Sequence, residues 1–330
     1  MRAIHVNWTK PFFERHRLRG HGFETTRNIK SDCYDQPEYQ ILYTILSALH
    51  WKRLNGPIKL YTDSIGLEFY QQFGISSLYD DIDIDFLNGY SKSKVDPAYF
   101  WTSGKIKCLA HQTSPFVFLD QDMIIRNKLP NYIFERDLTV THWEIPRGYY
   151  YFEQPDWERE IKHIPFPENY NTSDWSPNTS FLYFKNLNLL REYHDWHKKL
   201  VNTNGEEVPE WFWLLTDQGI LGHVIREGDY TVETLTDKIF LANSNYSTKQ
   251  ERYKGKSEAW YYPIDSSKHK ENDIHWEHVW FNKIHLGNNE ELKHRETFRY
   301  FKEIIEFEGS KYLTHSRFKK YWDEYNNQDN

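Results

Sequence analysis

Residues 116–125 read Phe116-Val117-Phe118-Leu119-Asp120-Gln121-Asp122-Met123-Ile124-Ile125, an apolar run that is interrupted by two carboxylates one residue apart. The aromatic and β-branched residues before Asp120 are typical of a strand that is buried on both faces. Such strands belong to open α/β sheets, which bind their ligands at the carboxyl ends of the strands. Carboxylate oxygens are preferred ligands of hard divalent ions. The stretch therefore predicts a metal and phosphate position at the edge of a sheet.

Strand-like and helix-like segments alternate on the N-terminal side of this stretch. Strands are predicted over residues 3–8 and 58–63. The helix between them follows an N-cap at Asp35 and ends near Asn55, and a further helix covers residues 105–111. Strands separated by helices of this length predict a mostly parallel sheet with right-handed crossovers. The expected fold class is therefore α/β, with helices flanking a central sheet.

The second half of the chain is less regular. Its pattern predicts strands over residues 138–142 and 181–184 and helices over residues 187–201 and 211–225. The aromatic and proline-rich connection over residues 144–178 is typical of a binding loop or lid. The tail over residues 289–330 has the pattern of two charged helices broken at Gly309. We expect one domain over residues 1–290 and a C-terminal helical extension over residues 291–330.

Composition narrows the class of protein. No apolar run approaches the ~20 residues of a transmembrane helix. The first residues lack the apolar core and small-residue cleavage site of a signal peptide. Two cysteines, Cys33 and Cys108, in 330 residues argue for reduced thiols rather than a disulfide framework. We therefore expect a cytoplasmic protein without a transmembrane segment.

Charge and aromatic content indicate the kind of partner. A net charge of −7 disfavours general binding to nucleic acid and leaves room for a local basic pocket around one diphosphate. Aromatic residues make up 18% of the chain, with 13 Trp and 24 Tyr. Aromatic faces pack against sugar rings, so this excess suits a carbohydrate groove, although an aromatic-rich core explains it equally well. Composition alone does not separate the two.

Several short motifs occur in a distinctive order along residues 1–290. They are Tyr61-Thr62-Asp63, Lys105, Asp120-Gln121-Asp122, Asn178-Thr179-Ser180-Phe181-Leu182-Tyr183-Phe184, Asp217-Gln218 and His285-Leu286-Gly287. This order resembles the GT-A-fold nucleotide-sugar glycosyltransferases, especially the retaining group around glycogenin and the bacterial lipopolysaccharide galactosyl- and glucosyltransferases. The resemblance implies a GT-A (Rossmann-like) fold and a retaining, metal-dependent hexosyltransferase of polysaccharide biosynthesis. Its donor would be a nucleotide sugar and its acceptor a carbohydrate or glycoconjugate.

The same resemblance implies a metal site made of Asp120, Asp122 and His285. Asp122 would bind Mn²⁺ or Mg²⁺ directly, and Asp120 would bind the metal, the ribose or both. Imidazole together with carboxylates suits Mn²⁺ better than oxygen ligands alone do. The ion would neutralise charge on the departing diphosphate. His285 also fits a strand histidine beside an aromatic cluster.

Further residues acquire donor-binding roles from the resemblance. Lys105, or its neighbour Lys107, would reach the donor near its phosphates, helped by the N-terminal amides of its helix. Asp63 would contact the nucleotide, although a carboxylate at a strand end often caps the next helix. The base pocket would be lined by His5, Asn7 and Trp8.

Catalytic roles near the transferred sugar fall on three residues. Asn178 would present its amide to the sugar, and Asp217 with Gln218 would touch donor or acceptor hydroxyls. Each has a plain alternative, because Asn178 suits a turn after Pro177 and Asp217 suits a helix surface. Glu144 could add a carboxylate near the sugar if it lies at the sheet edge.

One departure from the family pattern and two rival classes remain. The relatives carry a lysine soon after the late His-x-Gly, whereas Lys293 is too distant here, so either the phosphates would depend on Lys283 or Lys105, or the C-terminal closure would differ. The run His275-Trp276-Glu277-His278 lacks the i, i+4 histidines of a zinc peptidase helix, and we set it aside as a metal motif. The rivals are a haloacid-dehalogenase-type phosphohydrolase, which also uses an Asp-x-Asp strand end, and a non-catalytic carbohydrate-binding protein.

Overall fold

The structure of the protein, a computed structural model, describes residues 1–14, 32–145, 163–170, 175–203, 208, 212–236, 240–241, 274–279, 289–307 and 309–328. The predicted metal ligand His285 lies outside these residues, as does Lys283. Within the predicted lid over residues 144–178, positions 146–162 and 171–174 also lie outside them.

Short strands and mostly longer helices make up the described residues. The strands are β1 (Ala3–Asn7), β2 (Ile58–Thr62), β3 (Asp81–Asp83), β4 (Phe116–Leu119), β5 (Met123–Ile125), β6 (Leu138–Val140), β7 (Trp143–Ile145), β8 (Ser176–Pro177), β9 (Phe181–Phe184), β10 (Val232–Thr234), β11 (Phe240–Leu241) and β12 (Trp276–His278). The helices are α1 (Lys10–Glu14), α2 (Glu38–Leu54), α3 (Ser64–Gln72), α4 (Asp85–Tyr90), α5 (Ser103–Ala110), α6 (Leu187–Leu200), α7 (Phe212–Leu214), α8 (Ile220–Glu227), α9 (Glu290–Glu306) and α10 (Lys319–Gln328). A π-helical turn, Leu215–Gly219, joins α7 to α8.

Within the described ranges, the main sheet has seven strands in the order β10-β6-β9-β4-β1-β2-β3. Strand β1 pairs in parallel with β2 and β4, and β2 pairs in parallel with β3. Strand β9 runs antiparallel between β4 and β6, and β10 is parallel to β6. Two smaller sheets have the orders β11-β7-β8 and β12-β5. This mostly parallel sheet with flanking helices confirms the predicted α/β fold class.

Two apolar cores lie on opposite faces of the main sheet. Val117 and Leu119 of β4 belong to the core that contains α2 and α9, whereas Phe116 and Phe118 belong to the core that contains α6 and α8. Because both faces of β4 are buried, every position before Asp120 is apolar rather than every second one. No helix in the described part of the chain is long and apolar enough to cross a membrane.

The C-terminal helices contribute to the first of these cores. Phe298, Phe301 and Ile304 of α9 lie in the same apolar cluster as residues of α2. Gly309 follows α9 at the predicted break, and a Cβ atom there would lie 2.6 Å from the Ile304 side chain, so the close packing at this position favours glycine. The division of the chain at residue 290 stays a prediction.

Candidate metal and donor site

Several strand ends meet at one edge of the main sheet. The parallel strands β1, β2 and β4 finish there, and antiparallel β9 begins there, since Leu119 pairs with Phe181. Strand β6 also finishes at this edge because it is antiparallel to β9. Residues at or near these ends include the predicted site residues Asn7, Trp8, Asp63, Asp120, Asp122, Glu144 and Asn178, together with His142 and Thr179. This is the carboxyl edge at which open α/β sheets bind ligands.

Asp120 and Asp122 lie in a tight turn between β4 and β5. The Met123 amide donates to the Asp120 carbonyl at 2.9 Å, which closes the turn. Strand β12 pairs antiparallel with β5 and sets His278 opposite Met123. As a result, one ligand atom from each of Asp120, Asp122 and His278 lies within 4.8 Å of the others. We call these three residues the metal cluster.

The metal cluster fits a divalent ion. His278 Nε2 lies 3.7 Å from Asp122 Oδ2, and both side chains are buried. Two ligands held at roughly 2.1 Å from one ion lie at most about 4.2 Å apart, so this separation suits a shared ion. Asp120 is less buried and completes a set of two carboxylates and one imidazole. That donor set is compatible with Mn²⁺ and less typical of Mg²⁺, which prefers oxygen ligands.

Lys105 and Asp217 form a buried ion pair that contacts Thr179 at the same edge of the sheet. Lys105 lies in the first turn of α5, and its Nζ is 2.6 Å from Asp217 Oδ2. The two side chains are only 11% and 2% exposed. The ammonium also donates to Thr179 Oγ1 at 2.9 Å, and Tyr193 donates to Asp217 Oδ1 at 2.8 Å. A lysine has three N–H donors, so one beyond these two contacts can serve a ligand.

Asp217 and Gln218 lie in the π-helical turn rather than in a regular helix. Such turns occur often at functional sites because the extra residue re-aims side chains. His197 holds the turn in place through both of its ring nitrogens. Its Nδ1 lies 2.7 Å from the Thr216 carbonyl, and its Nε2 lies 3.0 Å from Ser103 Oγ. Burial lowers the pKa of His197 to about 4, so it is neutral at pH 7. This histidine therefore connects the start of α5 to the π-helical turn.

The segment Asn178–Ser180 connects the metal cluster to the Lys105–Asp217 pair. The Asp120 amide donates to the Ser180 carbonyl at 2.8 Å, and Thr179 accepts from Lys105. The Asn178 amide nitrogen donates to Glu144 Oε1 at 2.8 Å, and its carbonyl oxygen accepts from the Ser180 amide at 3.1 Å. His142 Nε2 lies 3.2 Å from the same Glu144 oxygen. Asn178 thus holds a buried carboxylate at the sheet edge.

Asn7 ends β1 and Trp8 follows it at the same edge. The Asn7 carbonyl oxygen accepts from Tyr34 at 2.8 Å, while its buried amide nitrogen has no hydrogen-bond partner among the described residues. Trp8 donates to Ser91 Oγ at 2.9 Å and packs against Gly104, where a Cβ atom would lie only 2.8 Å from the indole. Glycine at position 104 therefore lets α5 approach β1 closely.

His5 and Asp63 are both engaged inside the protein. The ring nitrogens of His5 lie 3.0 Å from the Tyr79 hydroxyl and 3.1 Å from Ser47 Oγ, and burial lowers its pKa to about 3. Asp63 caps α3 by accepting from the Gly66 amide at 2.9 Å, and it also accepts from Thr9. These contacts give both residues structural roles, so we do not carry them into the proposed donor site.

His278 is the functional candidate that sequence reasoning missed. The run His275–His278 was set aside because its spacing does not fit a helix, but residues 276–278 form a strand. In a strand, a single histidine faces one side, and the metal partners of His278 come from the turn that precedes the neighbouring strand β5. A metal site at the Asp-x-Asp turn needs a third ligand nearby. His278 can be recognised as that ligand only once the pairing of β12 with β5 is known.

The sheet order and its polar carboxyl edge define an α/β protein with a candidate ligand site at the ends of its strands. The chain belongs to DUF6734, a family of unknown function whose model matches residues 1–280. No curated protein matches the sequence.

Solved glycosyltransferases are among the structures to which this fold is similar. The galactosyltransferase LgtC, in complex with donor and acceptor sugar analogs, has 9% identity and a TM-score of 0.35 over 74% of each chain. Mouse xyloside xylosyltransferase 1 has 13% identity and a TM-score of 0.34 over 71% of this chain and 84% of that chain. The bifunctional glycosyltransferase WbbM has 10% identity and a TM-score of 0.36, with 70% of this chain matching 38% of that chain.

Proposed function

We propose that this protein is a metal-dependent glycosyltransferase that moves a sugar from a nucleotide-sugar donor to a carbohydrate or glycoconjugate acceptor. The observation that carries the proposal is the metal cluster at the carboxyl edge of the sheet, together with the Lys105–Asp217 pair that contacts Thr179 at the same edge. Asp120, Asp122 and His278 would hold a divalent ion, which would supply Lewis-acid stabilisation of the leaving diphosphate. Retention of configuration and a hexose as the transferred sugar rest on the motif resemblance alone.

On the donor side, the chain offers cationic and amide groups at suitable positions. The remaining N–H of Lys105 suits a phosphate oxygen, because Asp217 and Thr179 hold the ammonium in place without using its full donor capacity. The Asn7 amide nitrogen is a buried donor, and a carbonyl oxygen of a nucleobase would satisfy it. The indole of Trp8 supplies an aromatic wall next to it. These contacts would bind and orient the nucleotide.

On the sugar side, three groups suit hydroxyl recognition. Asp217 and Gln218 project from the π-helical turn, and Glu144 is held by Asn178. Carboxylates accept hydrogen bonds from sugar hydroxyls, and amides both donate and accept them. The proposed cytoplasmic location and role in polysaccharide biosynthesis rest on the sequence predictions.

A pair of tryptophans suggests where the acceptor binds. Trp101 precedes α5 and Trp213 lies in α7, and they come four residues before Lys105 and Asp217 respectively. Their ring centroids are 4.8 Å apart, and both side chains are half-buried. Two tilted indoles beside a sugar-transfer site would offer a packing surface for a pyranose ring.

We expect Trp213→Ala to raise the KM for the acceptor about tenfold, since an aromatic contact contributes roughly 0.5–1.5 kcal/mol beyond burial. Donor hydrolysis without acceptor should change little. Steady-state kinetics with the acceptor varied at saturating donor measures the effect. Trp322→Ala is the control, because Trp322 packs on Phe301 of α9 at 5.1 Å and not on the sheet edge. An equal rise of KM in both variants would contradict the acceptor assignment.

The proposed function is tested with a panel of nucleoside diphosphate sugars that differ in base and sugar. Thermal stabilisation is measured with Mn²⁺, Mg²⁺ or EDTA, and release of the nucleoside diphosphate is measured with candidate carbohydrate acceptors. Metal-dependent stabilisation by one donor, with sugar transfer, would support the proposal. Hydrolysis of a general phosphomonoester with no donor binding would identify the phosphohydrolase instead. Binding of free carbohydrate alone would identify a carbohydrate-binding protein.

A further inference from the structure

Strand β12 carries a buried carboxylate, that of Glu277, directly before His278 of the metal cluster. Neighbouring side chains of a strand point to opposite faces, so Glu277 points away from the face that carries His278. Its carboxylate is buried and accepts hydrogen bonds from the Arg126 guanidinium and from Arg299 Nη2, the latter at 2.7 Å. Tyr300 donates to the same carboxylate at 2.8 Å. Three side chains therefore hold the Glu277 carboxylate in place.

These contacts connect three distant parts of the chain. Arg126 follows β5, whereas Arg299 and Tyr300 belong to α9. Glu303 of the same helix pairs with Arg126 as well, and Glu296 pairs with Arg299, so the two arginines lie among three glutamates. A buried carboxylate with bidentate arginine contacts is geometrically well defined. The C-terminal helix α9 thereby reaches the strand that presents His278.

We propose that Glu277 is a positioning residue for the metal cluster: through Arg126 and Arg299 it fixes β12, and with it His278, against Asp122. Strand β12 has only three residues, and among the described residues it pairs with β5 alone. Its backbone bonds are few, the Val279 amide to the Asp122 carbonyl at 3.0 Å being the nearest to the metal cluster. A side-chain anchor is thus needed to keep His278 at its distance from Asp122. The proposal rests on the metal site of the proposed function.

The decisive experiment measures Mn²⁺ binding itself, in the full chain and without any substrate. Partners that orient metal ligands typically contribute 10–100-fold to metal affinity. We expect Glu277→Gln to raise the Kd for Mn²⁺ by this factor, measured by calorimetry well below the melting temperature. Arg299→Lys keeps the charge but loses the fork of two donors, and it should raise the Kd by at least threefold. Arg299→Lys also tests the proposal if Glu277→Gln does not fold.

Ile304→Ala is the matched control. Ile304 lies on α9 in the apolar core, so this variant weakens the packing of the same helix and leaves the Glu277 cluster intact. It should lower the melting temperature and leave the Kd for Mn²⁺ unchanged. Wild-type affinity in folded Glu277→Gln or Arg299→Lys, or an equal loss in Ile304→Ala, would overturn the inference.

The same measurements separate this inference from the proposed function. If the wild type binds Mn²⁺ but no nucleotide sugar, the proposed function fails while the variants still decide the role of Glu277. If the wild type binds no Mn²⁺ at all, both fail. If Mn²⁺ and donor bind normally to Glu277→Gln, only the positioning role fails.

Discussion

Replacing Asp122 by Asn should abolish Mn²⁺ binding and reduce sugar transfer by about 10³-fold or more. The change preserves shape but removes the negative charge at the most buried carboxylate of the metal cluster. Charge stabilisation by a metal is worth several kcal/mol in the transition state, and each 1.36 kcal/mol is a factor of ten in rate. Calorimetry with Mn²⁺ measures the binding, and release of the nucleoside diphosphate measures the rate.

Asp137→Asn is the appropriate control for this prediction. Asp137 precedes β6 at the opposite edge of the sheet and accepts hydrogen bonds from Thr231. These bonds help to hold the pKa of Asp137 below its usual value, so it is ionised like a metal ligand but lies at the other edge. Its variant should bind Mn²⁺ normally. Normal metal-dependent sugar transfer by Asp122→Asn would refute the proposed role of the metal cluster.

Sequence reasoning predicted a residue's position in the fold correctly where that position depends on the local sequence pattern. The apolar run before Asp120 predicts a buried strand by itself, and the turn that follows it is local too. Lys105 was placed in the first turn of a helix because its capping region is readable from neighbouring residues. For these residues, the strand end or helix start fixes the position at the sheet edge.

The pairing of residues far apart in sequence could not be predicted in this way. Lys105 and Asp217 were each proposed for the site, but their contact depends on α6, whose His197 bonds both to Ser103 at the start of α5 and to Thr216 of the π-helical turn. His278 depends on the pairing of β12 with β5 across about 150 residues. The internal partners of His5 come from α2 and from residue 79. A single sequence contains no direct signal for such long-range contacts.

The second large effect concerns the Lys105–Asp217 pair, for which burial makes single changes costly. Lys105→Met leaves the Asp217 carboxylate buried beside Tyr193 alone, and Asp217→Asn leaves the ammonium without its counter-charge. Breaking a buried ion pair from one side typically costs about 3–5 kcal/mol of folding free energy. The double variant Lys105→Met/Asp217→Asn removes both charges and should recover most of that loss. Urea unfolding of the four proteins measures the stabilities.

Activity should follow a different rule from stability in this cycle. If Lys105 contacts the donor phosphates and Asp217 the sugar, then the double variant recovers stability but neither affinity for the nucleoside diphosphate nor sugar transfer. A purely structural pair would recover all three. The exposed pair Lys319–Asp323 is a matched control, because its atoms are also 2.6 Å apart but its side chains are 75% and 59% exposed. Solvent screening should limit its coupling to about 0.5 kcal/mol, with no effect on transfer. The comparison therefore separates what burial contributes to the Lys105–Asp217 pair from what the substrate requires of it.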